Sequence, residues 1–314
     1  MLTFETGSRD PFFNQAFEEY VFQTVVDEDV FYVWRHSPVV VVGCYQNICR
    51  EVDALSLLKE NIPIIRRISG GGTVYHDFGN LNYTYIADRT QAPDYDACLA
   101  PVLAAMNRMG LRVLKNKISD LTIDGRKISG SAQKVAHGRV LHHGTLLFET
   151  DLEKLNEITT SHKNHAMETK GTLSAISSVT NIREHLPTAM TIDRFAEELV
   201  KNVPESMTCR LLTEAQRREV ERLAQEKYQS WEWTWGVTPT YTYRREGVFA
   251  GRPISVEYTA KKGRVTDITL RCDVINEGAA RSCLIGTAID PTSLLQAAEM
   301  LAPGKGEQLL QYLL

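Results

Sequence analysis

The chain has 314 residues, 43% hydrophobic and 24% charged, enough for one large domain or two smaller ones, each with its own core. Its 35 basic and 39 acidic residues leave a net charge of −4, so no basic field points to nucleic acid and no like-charge run suggests a tail. No apolar run approaches the ~20 residues of a membrane span, and the N-terminus lacks the basic and apolar regions of a signal peptide. The six cysteines, at 44, 49, 98, 209, 272 and 283, form no C-x-x-C pair and read as reduced thiols of a cytoplasmic protein.

Phe13, Ala16, Phe17, Tyr20, Val21 and Thr24 follow helical spacing and predict an amphipathic first helix. Phe31 to Arg35 and Val39 to Gly43 read as strands around a turn at Ser37-Pro38. A short helix over Asp53 to Glu60 and a strand over Ile62 to Arg66 lead into RRISGGGTVYHDFGN, residues 66–80. Three consecutive glycines weaken any regular element, so Gly70, Gly71 and Gly72 need a local reason. Bare backbone lets a ligand approach closely and turns N–H groups toward an anion. Arg66 and Arg67 precede the glycines, and His76 and Asp77 follow them. Arg67 is the candidate anion contact, because strand neighbours alternate and Arg66 then faces the other side. The alternative reading is a glycine-rich hairpin with solvated charges.

Leu81 to Ile86 alternates like a half-buried strand, and Cys98 to Met109 is helical. Asp120 to Ser129 (DLTIDGRKIS) reads as two short strands around the turn dipeptide Asp124-Gly125. Lys127, followed by the small residues Ser129 to Ala132, is placed either as a solvated edge lysine or as the cation that meets charge on a phosphoryl group. Asp120 is a candidate Mg²⁺ ligand. Arg139 to Glu149 is a strand, and its adjacent His142 and His143 face opposite sides, so at most one reaches a site. Thr150 to Glu153 reads as a capping box, and residues 161–180 as a long loop. Thr191 to Asn202 and Glu214 to Tyr228 are helical, with a composition break between them. Trp231, Trp233 and Trp235, at period two, share one face, as a domain-interface core or a cofactor platform. Strands over Thr240 to Arg244, Ile254 to Thr259 and Val265 to Leu270 turn at Glu246-Gly247 and Lys262-Gly263, and Asp290-Pro291 starts a last helix. No serine-nucleophile elbow, Walker A motif or dinucleotide fingerprint is present.

RRISGGGTVYHDFGN together with DLTIDGRKISG closely resembles the lipoate–protein ligase A family. The likeness covers residues 12–182, with VVVVGCYQN, HHGTLLF and a later KG…S…VTNI segment, and residues 214–314, including EKYQSWEWTWGVTP, resemble the family's small C-terminal accessory domain. It implies an α/β (α+β) architecture: a large biotin/lipoate-ligase-like catalytic domain (residues 1–205) with mixed sheets and flanking helices, and a small α+β C-terminal domain (residues 214–314). It also implies ATP-dependent activation of lipoate to lipoyl-AMP. Transfer then follows to a lysine of an apo lipoyl domain, on a 2-oxoacid dehydrogenase E2 or the glycine-cleavage H protein. By position, Lys127 is the catalytic cation; Arg67 binds the lipoyl or phosphate end; Gly72, Thr73, Val74 and Tyr75 line the nucleotide; Ser69, Gly70 and Gly71 belong to the same lipoate- and ATP-binding site. His76, Ser129, His143 and Gly144 belong to the pocket wall, Asp120 lies near Mg²⁺, and the 161–180 loop is the candidate closing segment. Ser119 and Ser178 stand where relatives commonly carry Asn and Arg. Two other readings of the scaffold are an ATP-independent lipoyl or octanoyl transferase using a cysteine, with Cys44 nearest, and a non-catalytic lipoyl-AMP-binding module.

Overall fold

A computed structural model describes residues 1–88, 94–116, 119–160, 167–172, 174 and 177–314. Its centre is a six-stranded mixed sheet in the order Ser131–Ala136, Arg139–Leu147, Asn80–Asp88, Val30–Trp34, Leu2–Phe4, Thr208–Arg210. Leu2–Phe4 pairs in parallel with both of its neighbours; the other pairs are antiparallel. Helices Tyr95–Arg108 and Ile192–Asn202 cover one face through Leu99, Val102, Met106, Phe195 and Leu199. The first helix, Pro11–Thr24, covers the other through Phe13, Ala16 and Phe17. Burial on both faces explains the near-continuous apolar run Val30–Trp34.

A three-stranded sheet packs beside the first helix. Val39–Val42 lies in its middle, parallel to Ile64–Arg66 and antiparallel to Val74–His76. The glycines therefore do not close a hairpin, because the strands on either side of them flank a third strand. The Leu121–Ile123 and Arg126–Ser129 strands form around Asp124-Gly125 as expected, both turn residues having positive φ.

The 203–213 stretch holds a strand, Thr208–Arg210, too short and polar to be read from periodicity. The following helix, Glu214–Leu223, continues in wide turns to Tyr228, and its Val220, Ala224 and Tyr228 pack with the first helix. A separate core belongs to the four-stranded sheet Met167–Thr169, Tyr241–Phe249, Arg252–Lys261, Arg264–Arg271 and its helices, Glu277–Leu284, Pro291–Leu301 and Gly306–Leu310.

Four local expectations are corrected. The first hairpin of this sheet turns at Ala250-Gly251, with φ of 50° and 75°, and not at Glu246-Gly247. Gly247 sits inside the strand opposite Ile254, where a Cβ would meet the Tyr312 ring at 2.6 Å. Helix Leu152–Thr160 is capped by Asp151, which accepts from the Lys154 amide, while the Thr150 hydroxyl has no partner among the described residues. The tryptophans lie on wide helical turns, so they do not share a face: Trp233 Nε1 donates to the Arg66 carbonyl, whereas Trp231 Nε1 donates to Asp290. The long loop contains the strand Met167–Thr169, while 161–166, 173 and 175–176 lie outside the described residues.

Candidate active site

The cavity of about 310 Å³ opens between the two sheets of the large core. Strand alternation supplies its walls. His143, Thr145, Asn82 and Trp34 come from the large sheet, and Val74 and His76 from the small one, while Tyr75 turns away into another cluster. Gln15 of the first helix, Arg67, Gly71, Gly72, Ser119, Asp120, Lys127 and Gly144 also line the cavity.

Arg66 and Arg67 divide as alternation requires. Arg66 is fully buried and donates to the carbonyls of Gly43, Gln46 and Thr234 at 2.8–2.9 Å and to Thr238 Oγ1 at 3.2 Å. It fastens the tryptophan turn to the large core. Arg67 Nη2 donates to the carbonyls of Gly70 and Gly72 at 2.5 and 2.7 Å, Nη1 to that of Val41, and Nε to Ser69 Oγ. Burial lowers both guanidinium pKa values to about 10, which leaves them charged at neutral pH. The glycine loop is thus organised with carbonyls on Arg67. Trans peptide geometry then points the Gly71 and Thr73 N–H groups away from it. The Thr73 N–H is met by Ser174 Oγ at 2.8 Å, and Ser174 in turn donates to Glu51.

Lys127 Nζ lies 2.8 Å from Asp120 Oδ1. The strand carrying it is bracketed by backbone bonds to Ser178 and Thr180. A Cβ on Gly130 would sit 3.0 Å from both Lys127 Cε and Nζ, so the glycine gives the ammonium its path. Asp120 is positioned by Asn116, whose Oδ1 accepts the Asp120 amide at 3.0 Å and whose Nδ2 donates to its carboxylate at 3.2 Å. Among the described residues no group of three His, Cys, Asp or Glu side chains is placed to hold a metal ion alone. Asp120 is the carboxylate of this cavity that would hold a hard cation such as Mg²⁺.

His143 reaches the cavity, with Nδ1 2.8 Å from Glu18 Oε2 and Nε2 2.7 Å from Ser69 Oγ. The imidazole thus bridges the Glu18 carboxylate and the Ser69 hydroxyl. Glu18 is itself buried and accepts from Thr84 Oγ1 at 2.6 Å. His142 faces the opposite side, against Tyr83 and Gln133. His76 stacks on His36 with ring centroids 5.1 Å apart, and burial holds its pKa well below the ordinary value.

Of the residues expected at the site, Arg67, Gly71, Gly72, Thr73, Val74, His76, Asp120, Lys127, His143 and Gly144 line the cavity. Ser69 and Ser129 are fully buried beside it, Gly70 lies outside its lining, and Tyr75 is remote from it. The sequence reading missed Gln15, Glu18, Trp34, Asn82 and Ser174. The available signal was polar residues at positions 15 and 18 of an otherwise apolar helix face. Cys44 lines a different cavity, together with Glu19, Tyr45 and Lys227. All six cysteines are free thiols.

Residues 10–203 match the family model for the lipoyl protein ligase A/B catalytic domain. Lipoate-protein ligase LplJ of Bacillus subtilis is 32% identical over 283 residues, covering 86% of this chain and 83% of that protein. Among solved structures, P. falciparum LipL1 in complex with lipoate superposes with a TM-score of 0.64 at 19% identity, covering 99% of this chain and 98% of that one. A lipoate-protein ligase A bound with ATP gives 0.61 at 23% identity, covering 74% and 96%. At these identities the structural likeness speaks for the fold, an α/β arrangement of mixed sheets and helices.

Proposed function

Since the chain belongs to the lipoyl protein ligase A/B family, we propose that it is an ATP-dependent lipoate–protein ligase with Lys127 as its catalytic cation. The observation that carries this reading is the Lys127–Asp120 pair at 2.8 Å in a cavity walled by the glycine loop. In the first step a lipoate carboxylate oxygen attacks the α-phosphorus of ATP. The P–O bond to pyrophosphate breaks, and lipoyl-AMP forms. Lys127 stabilises the negative charge that grows on the α-phosphoryl oxygens. Asp120 would hold Mg²⁺, which neutralises phosphate charge when bound. Arg67 braces the glycine loop, whose outward Gly71 N–H would face the nucleotide beside the side chains of Thr73 and Val74, while the Thr73 N–H stays on Ser174 Oγ. In the second step the unprotonated ε-amine of an acceptor lysine attacks the acyl carbonyl. AMP leaves with the bonding electrons, and the amine loses a proton.

The acceptor is an apo lipoyl domain of a 2-oxoacid dehydrogenase E2 or the glycine-cleavage H protein. We assign the chemistry to a large unit and the small four-stranded unit to an accessory role. Strand Met167–Thr169 pairs with Tyr241–Tyr243 of the small unit, and Ser174 caps the glycine loop a few residues on. Those two contacts support the described parts of this segment, Met167–Thr169 and Ser174, as cover that excludes water from the reactive anhydride. Free thiols are in keeping with a cytoplasmic setting, and no described helix is long and apolar enough to cross a membrane. No cysteine is among the residues lining the cavity, which argues against the thioester transferase. The test is pyrophosphate release: it requires both lipoate and ATP in the wild-type protein. Release that ignores lipoate would sink the proposal.

A further inference from the structure

The partners around Ser174 Oγ fix where its proton points. The Thr73 amide donates to this oxygen at 2.8 Å and Gln46 Nε2 donates to it at 3.1 Å. A hydroxyl has two lone pairs and one proton. With both lone pairs taken, the proton goes to Glu51 Oε2, which also accepts the Ser174 amide at 3.2 Å. The same counting orients the Gln46 amide. Its Oε1 accepts from the Gly43 amide at 2.8 Å and from Thr73 Oγ1 at 2.9 Å, so its Nε2 must face Ser174 and the Thr172 carbonyl. Thr73 therefore has both its amide and its hydroxyl proton committed. A Cβ on Gly72 would meet Ser174 at 3.1–3.3 Å, so that glycine makes room for the serine. Gln46 is fully buried and Glu51, at the end of the short helix Ile48–Glu51, is 8% exposed. Burying a carboxyl group is costly unless donors meet it. Among the described residues, the hydrogen bonds to the Glu51 side chain both come from Ser174.

Resting on the ligase reading above, we propose that Glu51 is a positioning residue for the nucleotide, acting through the Ser174 hydroxyl on the Gly72–Thr73 edge of the glycine loop. Glu51 is not among the residues lining the cavity, whereas Gly72, Thr73 and Ser174 are. By taking the Ser174 proton, it turns both lone pairs of that oxygen toward Thr73 and Gln46. Without an acceptor at position 51 the proton is released, and the hydroxyl competes as a donor with the Thr73 N–H. Flipping Gln46 would supply an acceptor, but it would set Nε2 against the Gly43 amide, donor facing donor. Either rearrangement loosens the loop edge where the nucleotide binds. The requirement is for an oxygen acceptor and not for charge, so a neutral amide at position 51 serves as well.

The test combines amide hydrogen exchange of the peptide spanning residues 70–74, which needs no substrate, with the KM values for ATP and lipoate in pyrophosphate release. Glu51→Ala is expected to speed that exchange about tenfold. It should also raise the KM for ATP about tenfold while the KM for lipoate stays within threefold. Glu51→Gln, which keeps an oxygen facing Ser174, is expected to restore both readouts to within threefold of wild type. Ser174→Ala should reproduce the Glu51→Ala effects, and the double variant should be no worse than either single one, because the two residues act through one hydroxyl. Unchanged exchange in Glu51→Ala overturns the inference, as does a Gln variant as impaired as the Ala variant. Equal rises in both KM values overturn it too, since they would mark a general structural loss. A wild-type protein that releases no pyrophosphate would overturn the ligase reading, while the exchange data would still decide whether Glu51 holds the loop.

Discussion

Replacing Lys127 by Met removes the ammonium while keeping most of the side-chain volume. Its side chain is 25% exposed and its only described ion pair is with Asp120, 16% exposed. A unit charge about 4 Å from a phosphoryl oxygen is worth ~1 kcal/mol in water and ~4 kcal/mol at the effective dielectric of a protein surface site. Partial exposure puts the loss at about 2–4 kcal/mol, or roughly 30- to 1000-fold in kcat. Folding changes little, because Asp120 keeps its bond from Asn116 Nδ2 at 3.2 Å and a partly exposed pair contributes on the order of 1 kcal/mol or less. The assay is single-turnover pyrophosphate release at saturating lipoate and ATP, with thermal unfolding run alongside. Release within threefold of wild type, in a protein of unchanged Tm, would refute the role assigned to the cation.

Gly130→Ala places a methyl 3.0 Å from Lys127 Cε and Nζ; pyrophosphate release should fall about tenfold with little change in Tm, and an unaltered rate would show that the lysine has another path. Arg66→Met strips the carbonyls of Gly43, Gln46 and Thr234 of their donor, at a cost of about 3–5 kcal/mol and a Tm lower by on the order of 10 °C; an unchanged Tm would mean that these bonds do not hold the tryptophan turn. The third concerns pH. Burial lowers the His36 and His142 pKa values to about 3 and holds His76 well below its ordinary value. Below ~6.5 the unfolded chain takes up protons that the folded chain refuses, so this stability is complete above ~6.5 and is lost as the pH falls. Each histidine costs about 1.4 kcal/mol at pH 5.5, together about 4 kcal/mol; a urea midpoint equal at pH 7.5 and 5.5 would show that these side chains are not neutral in the fold.

The site was legible where chemistry is local in sequence. Gly70 to Gly72, Lys127 and Asp120 announce themselves because three glycines and a turn-flanked lysine have few other uses, and Gly71, Gly72, Lys127 and Asp120 do line one cavity. Alternation alone separates Arg66 from Arg67 and His142 from His143, since strand periodicity is a covalent property of the chain. What stayed hidden depends on partners far along the chain. Glu18 matters because His143, 125 positions on, meets it across the sheet. Gln15 matters because Asn82 and His76 share its cavity. Glu246-Gly247 imitates a turn, yet Tyr312 packs over that glycine while Ala250 takes the left-handed conformation instead. Tryptophans at period two mimic a strand, and only the wide helical turns reveal that Trp231 and Trp233 hold different partners.

The central claim is most directly tested by intact-mass analysis of an apo lipoyl domain incubated with this protein, lipoate and Mg²⁺, with and without ATP. The account predicts one lipoyl addition in the tube with ATP and none in the tube without it. An equal gain without ATP would contradict the adenylating mechanism, and no gain in either tube would contradict the assignment as a lipoate–protein ligase.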